Sequence, residues 1–206
     1  VCLARPDILR AQYRAILRVR PEGQCKIMLP MVADLAELRT ARAILEEEKA
    51  RLGRKDAVQL GIMVEVPAAA MMAEVLAAEA DFFSVGTNDL TQYTLAMDRL
   101  NPALARYMDA LHPAVLRLIA RTAQGARAHG RWLGVCGGLA SVTLAAPVLI
   151  GLGVTELSAT AAAIPRIKAF VRRLDMPACK KAAETALAQS SAEGVRAMLA
   201  RLWPGE

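Results

Sequence analysis

Short apolar runs alternate along this chain with longer stretches in which apolar residues recur three and four positions apart. Residues 4–20, "ARPDILRAQYRAILRVR", carry the helical spacing. "CKIMLPM" (25–31) predicts a short strand that ends at Pro30. Residues 34–52 predict a second helix, with Asp34 as its N-cap and Leu38, Ala41, Leu45 and Leu52 on one side. Gly53 is placed to stop it. "VQLGIMVEV" (58–66) is a second strand, 68–79 a helix, and "DFFSVGT" (81–87) a third strand followed by helical 90–100. Residues 112–130 predict a helix with Pro113 in its first turn. "RWLGVCGG" (131–138) is a fourth strand, 144–153 a short helix, and "TELSAT" (155–160) a fifth strand. Helical 164–174 and an Ala-rich helical extension over 175–206 close the chain.

Strands that are continuously apolar and separated by helices predict a parallel sheet covered by helices, an α/β fold. Five strands fall short of the eight of a closed barrel, and a doubly wound sheet could close with five. No G-x-G-x-x-G follows the first strand, which lowers the dinucleotide-binding reading.

Composition narrows the function classes. The 206 residues are 55% apolar, enough for a well-buried core. "MMAEVLAAEA" and "APVLIGLGV" are too short and too interrupted to span a membrane, and the charged N-terminus is no signal peptide. An opening Val rather than Met reads as a fragment of something longer. Cys2, Cys25, Cys136 and Cys179 form no C-x-x-C pair, so reduced thiols in a cytoplasmic protein are expected. The formal charge is +6, but only 4% of residues are aromatic and no basic-aromatic stripe occurs. Arg10, Arg14 and Arg18 stand at helical spacing. A solvated face or a small anionic substrate is therefore expected in preference to nucleic acid.

In parallel α/β folds ligands sit beyond the carboxyl ends of the strands. Glu65 ends the second strand, Thr87-Asn88-Asp89 the third, Cys136-Gly137-Gly138 the fourth and Ser158-Ala159-Thr160 the fifth. A carboxylate in the apolar run around Glu65 needs an ion-pair partner, hydrogen bonds or a cation. Asp89 suits either a helix cap or a ligand role. Two carboxylates ending adjacent strands, with no histidine beside them, fit Mg²⁺ or Mn²⁺ better than zinc. Arg99 is either a surface residue or a bidentate contact for phosphate. Cys136, flanked by glycines, is either a small buried hydrophobe or a reactive thiol. His112 and His129 stand at a helix entry and a helix end, with no partners that would make a triad.

The stretch "VEVPAAAMMAEVLAAEADFFSVGTNDLTQYTLAMDRLNPAL", continued by "GVCGGLAS", "LIGLGVTELSAT" and "IPRIKAFVRRL", resembles the phosphoenolpyruvate (PEP)-binding domain of the PEP–protein phosphotransferases, enzyme I of the bacterial sugar phosphotransferase system. "DILRAQYRAILR" and "KIMLPMV" extend the resemblance over nearly the whole chain. It implies a (β/α)₈ TIM-type barrel, of which this chain would carry the last five β/α units plus C-terminal helices. It also implies that Glu65 and Asp89 are Mg²⁺ ligands, that Asn88 and Arg99 contact the substrate phosphate, and that Cys136 is the acid that protonates enolpyruvate. The phosphoryl group would go to a histidine on a separate N-terminal domain, and from there to a small phosphocarrier protein, with pyruvate released. Neither His112 nor His129 lies in that acceptor motif. The family's substrate-binding arginines would lie upstream of Val1, and members pair through this domain, which implies a homodimer. Two positions depart from the common pattern: Gly138 where many members carry glutamate, and Val142 where they often carry aspartate. The glycine variant resembles that of paralogues fused to other phosphotransferase modules. Pyruvate phosphate dikinase and PEP synthase share the Asn-Asp strand end and the cysteine, and remain the enzymatic alternative. A regulatory PEP-sensing module is the non-enzymatic one.

Overall fold

The computed structural model describes residues 3–205. Its elements run α1 (Pro6–Ile16), β1 (Ile27–Leu29), α2 (Leu35–Arg51), β2 (Leu60–Val64), α3 (Pro67–Met71), α4 (Ala73–Ala77), β3 (Phe82–Gly86), α5 (Thr87–Leu95), α6 (Pro102–Ala105) and α7 (Pro113–Ala128). After them come β4 (Trp132–Cys136), α8 (Ala146–Leu152), β5 (Glu156–Leu157), α9 (Ile164–Val171), α10 (Met176–Leu187) and α11 (Ala192–Leu202). All strand pairs are parallel, and their order in space is their order in the chain, β1-β2-β3-β4-β5. A doubly wound sheet reverses its order at a switch point, whereas consecutive order is that of a TIM-type barrel. The fold is thus five consecutive β/α units of such a barrel.

Strand alternation assigns two faces. Leu60, Ile62 and Val64, Phe83 and Val85, and Leu133 and Val135 are buried and belong to the main core. The other face carries Gly61 and Met63 on β2 with Glu65 just beyond it, Phe82, Ser84 and Gly86 on β3, and Trp132, Gly134 and Cys136 on β4. Its glycines make room for large neighbours. A methyl on Gly61 would stand 2.6 Å from the Phe82 ring, and one on Gly134 would touch Trp132 and Glu156. Phe82 stacks on Trp132 with centroids 4.5 Å apart, and Lys26 Nζ lies 4.7 Å from the Trp132 ring centroid. Aromatic bulk thus fills the amino end of this face, and the chemistry-bearing residues stand at its carboxyl end.

Several helix ends follow the sequence expectations. Asp34 accepts from Glu37 N–H at 3.0 Å in a capping box, and Gly53 follows α2 at φ +65°. The segment expected as one helix over 68–79 is two, broken at Met72 (φ −93°, ψ 11°), where no Gly or Pro marks the bend. The helix expected over 90–100 starts earlier, at Thr87, and ends at Leu95 because Ala96 turns left-handed (φ 52°). The Arg10–Arg14–Arg18 stripe is not simply a solvated face. Arg10 and Arg14 reach the fully buried Glu48 of α2 at 2.9 and 3.1 Å and clamp α1 to α2.

Residues 175–206 form α10 and α11 as far as they are described. α10 crosses α8 so closely that a methyl on Gly151 would lie 2.1 Å from Cys179 O. Arg117 donates to Leu187 O at 2.7 Å, and Arg196 grips Asp109 through two hydrogen bonds of 2.7 and 2.9 Å. Among the described residues no helix is long and apolar enough to cross a membrane.

Candidate functional site

Every residue singled out at the strand ends, with Arg99 from the loop beyond α5, stands around the carboxyl end of the sheet. Glu65 follows β2 directly and is 5% exposed. Its Oε1 accepts Met31 N–H at 2.8 Å. Met31 holds a left-handed backbone (φ 57°), which is strained for a non-glycine residue and turns its amide toward the carboxylate. Gly86 leaves room on the other side, where a methyl would stand 2.8 Å from Glu65 Oε2. Burial pushes the Glu65 carboxyl above its ordinary value; the Met31 amide pulls it back, the Asp89 charge raises it further, and Arg99 lowers it. Among the described residues no cation forms an ion pair with Glu65, so the structural-pair reading of this buried acid is not realised.

Asp89 is in the first turn of α5, two residues past the helix start, and is not its cap. It pairs instead with Arg99, whose Nη2 lies 3.4 Å from Asp89 Oδ1. Arg99 is exposed in the loop beyond α5, where its N–H donates to Gln92 Oε1 at 3.1 Å. Asn88 uses its carbonyl oxygen to accept Gly138 N–H at 2.9 Å, and its Nδ2 makes no hydrogen bond among the described residues. A cleft of about 220 Å³ is lined by Thr87, Asn88, Thr91, Arg99, Ala105, Met108 and Ala110. Two larger clefts, of about 480 and 310 Å³, lie against outer helices, and none of the five nominated residues lines them.

Cys136 ends β4 opposite Gly86. Its thiol donates to Val85 O at 3.4 Å, and its carbonyl accepts the Thr87 hydroxyl at 2.9 Å. Cys136 is half-buried at the mouth of the sheet and is not a core hydrophobe. The two histidines serve helix ends. His112 Nδ1 accepts Ala114 N–H at 3.1 Å as the N-cap of α7, and His129 closes the same helix.

The site therefore offers two carboxylates, one free amide NH₂, one guanidinium and one thiol. No group of three histidine, cysteine or acidic side chains that could hold a metal occurs among the described residues. Two carboxylates without further protein ligands match the habit of Mg²⁺, which keeps several waters and substrate oxygens in its shell. Sequence reasoning placed Thr87 at a strand end without giving it a role, and missed Met31. Thr87 is in the same turn as Asn88 and Asp89, but its partners lie 49 residues or more away. Met31 has no side-chain chemistry at all and acts through its amide.

Residues 1–176 match the family described as PEP-utilising enzyme, PEP-binding domain. A multiphosphoryl transfer protein of Xanthomonas campestris pv. campestris is 52% identical over 200 residues, covering 97% of this chain and 24% of that protein. A phosphoenolpyruvate-protein phosphotransferase of Listeria monocytogenes is 43% identical over 200 residues, covering 95% of this chain and 35% of that protein. The chain thus spans between about a quarter and about a third of the length of these relatives. Among solved structures, a citrate lyase of Burkholderia xenovorans LB400 superposes with a TM-score of 0.63 over 93% of this chain and 67% of its own, at 22% identity, a likeness of fold alone.

Proposed function

The chain belongs to the PEP-binding domain family of the PEP-utilising enzymes, and on that premise we propose that it binds PEP at the carboxyl end of its sheet and donates the phosphoryl group to a histidine on another domain. The observation that carries this reading is convergence: Glu65, Asn88, Asp89, Arg99 and Cys136 come from three strand ends and one loop; Asp89 pairs with Arg99, both charges act on Glu65, Asn88 holds Gly138 in the loop that follows Cys136, and the Cys136 thiol donates to Val85 O on β3.

Each group has work suited to its chemistry. The free Nδ2 of Asn88 and the Arg99 guanidinium supply donors for phosphate oxygens. Phosphoryl transfer leans on positioning and charge neutralisation more than on covalent help. Glu65 and Asp89 fit a Mg²⁺ ion, with Mn²⁺ as a substitute: burial and mutual repulsion oppose Glu65 ionisation, and a divalent cation relieves both. Such an ion, when bound, neutralises negative charge on the substrate oxygens. As the P–O bond to the substrate breaks and a P–N bond forms at the acceptor, enolpyruvate is left. Cys136 then gives its proton to the methylene carbon: a lone pair of the enolate oxygen forms the C=O bond, the C=C electron pair forms the new C–H bond, the sulfur is left as thiolate, and pyruvate leaves.

His112 and His129 are engaged at the ends of α7. Neither lines the cleft beside Asn88 and Arg99, and in this reading the acceptor histidine and a small phosphocarrier protein beyond it belong to other domains or chains. The printed names of the relatives, a multiphosphoryl transfer protein and a phosphoenolpyruvate-protein phosphotransferase, support this division of labour. A homodimer and a cytoplasmic setting complete the reading. Calorimetric titration of the full-length protein with PEP, with and without Mg²⁺, tests it. Binding that requires Mg²⁺ and is lost in Asp89→Ala is expected. Binding indifferent to both would refute the metal role.

A further inference from the structure

We propose that Thr87 is a positioning residue whose hydroxyl clasps the β4–α8 loop and sets Cys136 for proton delivery; this rests on the acid role given to Cys136 above. β3 becomes α5 at Thr87, so the backbone ladder between β3 and β4 stops at the pair Gly86–Cys136. A side chain takes over where the ladder ends. Thr87, fully buried, donates its hydroxyl proton to Cys136 O at 2.9 Å. The same oxygen accepts Leu139 N–H at 3.4 Å. One hydroxyl is both donor and acceptor, so Thr87 grips the loop on both sides of Gly137–Gly138. Asn88 Oδ1 adds a third hold on Gly138 N–H at 2.9 Å.

The loop is shaped for this grip. Gly137 has φ +86°, a conformation that L side chains rarely adopt, and a methyl there would stand 2.6 Å from Thr87 Oγ1. The branched Cβ of Thr87 limits its rotamers, and Thr91 Oγ1 donates to Thr87 O at 2.6 Å within α5. The turn that carries the hydroxyl is thus tied from its own side as well. Cys136 is held through its carbonyl by Thr87, while its thiol makes only a weak donation to Val85 O. That arrangement fixes the backbone that carries the sulfur, and a weak S–H···O bond is all the thiol proton gives up on transfer. Proton transfer tolerates little misplacement, of the order of 1 Å for a hundredfold loss.

The test uses the full-length protein, saturated with Mg²⁺, in single-turnover pyruvate formation. Thr87→Val removes the hydroxyl and keeps the branched shape. It is expected to slow pyruvate formation about tenfold to a hundredfold with the KM for PEP within about threefold. Thr87→Ser, which restores the hydroxyl, is expected to recover most of the rate. Gly137→Ala, which presses on the same hydroxyl from the loop, is expected to reproduce the Thr87→Val loss. The double variant Thr87→Val/Cys136→Ala is expected to be no slower than Cys136→Ala alone. Full activity in Thr87→Val with a slow Cys136→Ala overturns the clasp and leaves the acid reading standing. Full activity in Cys136→Ala removes the acid role and the clasp with it. Multiplying losses in the double variant would show that Thr87 acts apart from Cys136, and overturn the clasp. If Thr87→Val does not fold, Gly137→Ala, alone and combined with Cys136→Ala, decides by the same outcomes.

Discussion

Gly86→Ala probes the metal-ligand role of Glu65 without replacing its carboxylate. Gly86 has φ −81°, open to any L residue, so only space is at stake. The added methyl would stand 2.8 Å from Glu65 Oε2, 2.9 Å from Met63 Sδ and 3.0 Å from Glu65 Cβ. Met63 can swing away, being the far end of a flexible chain. Glu65 Cβ cannot move without the backbone, so the carboxylate must rotate. Overpacking of this kind costs about 1–3 kcal/mol. In a domain of this size that lowers Tm by about 2–4 °C per kcal/mol. Gly61→Ala is the control: its methyl would meet Phe82 ring atoms at 2.6 Å, a similar steric insult at the opposite end of the same face. Both variants should lose comparable stability in a thermal melt. Only Gly86→Ala should also weaken Mn²⁺ binding in the presence of PEP, by about tenfold to a hundredfold, the range seen when a ligand's surroundings are disturbed. Equal metal affinity in the two variants, with Gly86→Ala folded, would refute Glu65 as a ligand.

Other consequences follow from the same geometry. Cys136→Ala should still bind PEP and Mg²⁺ but release pyruvate slowly; unchanged turnover would remove Cys136 from the acid role. Metal affinity should fall as the solution is acidified, with a midpoint above that of an ordinary glutamate, because burial raises Glu65 and Asp89 adds to it. In the metal-free protein the native state binds the Glu65 proton more tightly than the unfolded state does. Stability should therefore decrease as pH rises between the unfolded and native Glu65 pKa values, and Glu65→Gln should flatten that slope in denaturant titrations. Gly151→Ala should loosen α10 from α8, since the clash is with the Cys179 backbone carbonyl and not with a movable side chain. Hydrogen exchange across 176–187 should rise; unaltered protection there would contradict the close crossing.

The apolar runs at 60–64, 82–86 and 132–136 announced three central strands, because their helix-facing and inward residues are both largely covered. Glu65, Asn88, Asp89 and Cys136 were legible as strand-end residues for the same reason: an apolar run that stops abruptly at polar groups marks the carboxyl end of a strand. Strand count alone left barrel and doubly wound sheet open, and spatial order settled it. The break at Met72 and the left-handed turn at Ala96 were not legible, since neither position carries a Gly or Pro to announce it. Arg99 was legible as a cation, but not its loop setting or its pairing with Asp89. Thr87 and Met31 act through contacts 34 to 52 residues distant in the chain, which no local pattern encodes. Glu48 reads as one acid among several in "LEEEKAR", and only the packing of α1 on α2 buries it beneath Arg10 and Arg14.

The most direct test of the account is phosphorylation itself. The full-length protein is incubated with phosphorus-labelled PEP and Mg²⁺, without nucleotide, and assayed for acid-labile label on the chain. Label that appears in the intact protein and is lost in Asp89→Ala is the predicted result. No label without nucleotide, but label once AMP, ATP or pyrophosphate is supplied, would contradict direct phosphotransfer and assign the site to a dikinase or synthase. No label under any condition would contradict a catalytic role and favour a PEP-sensing module.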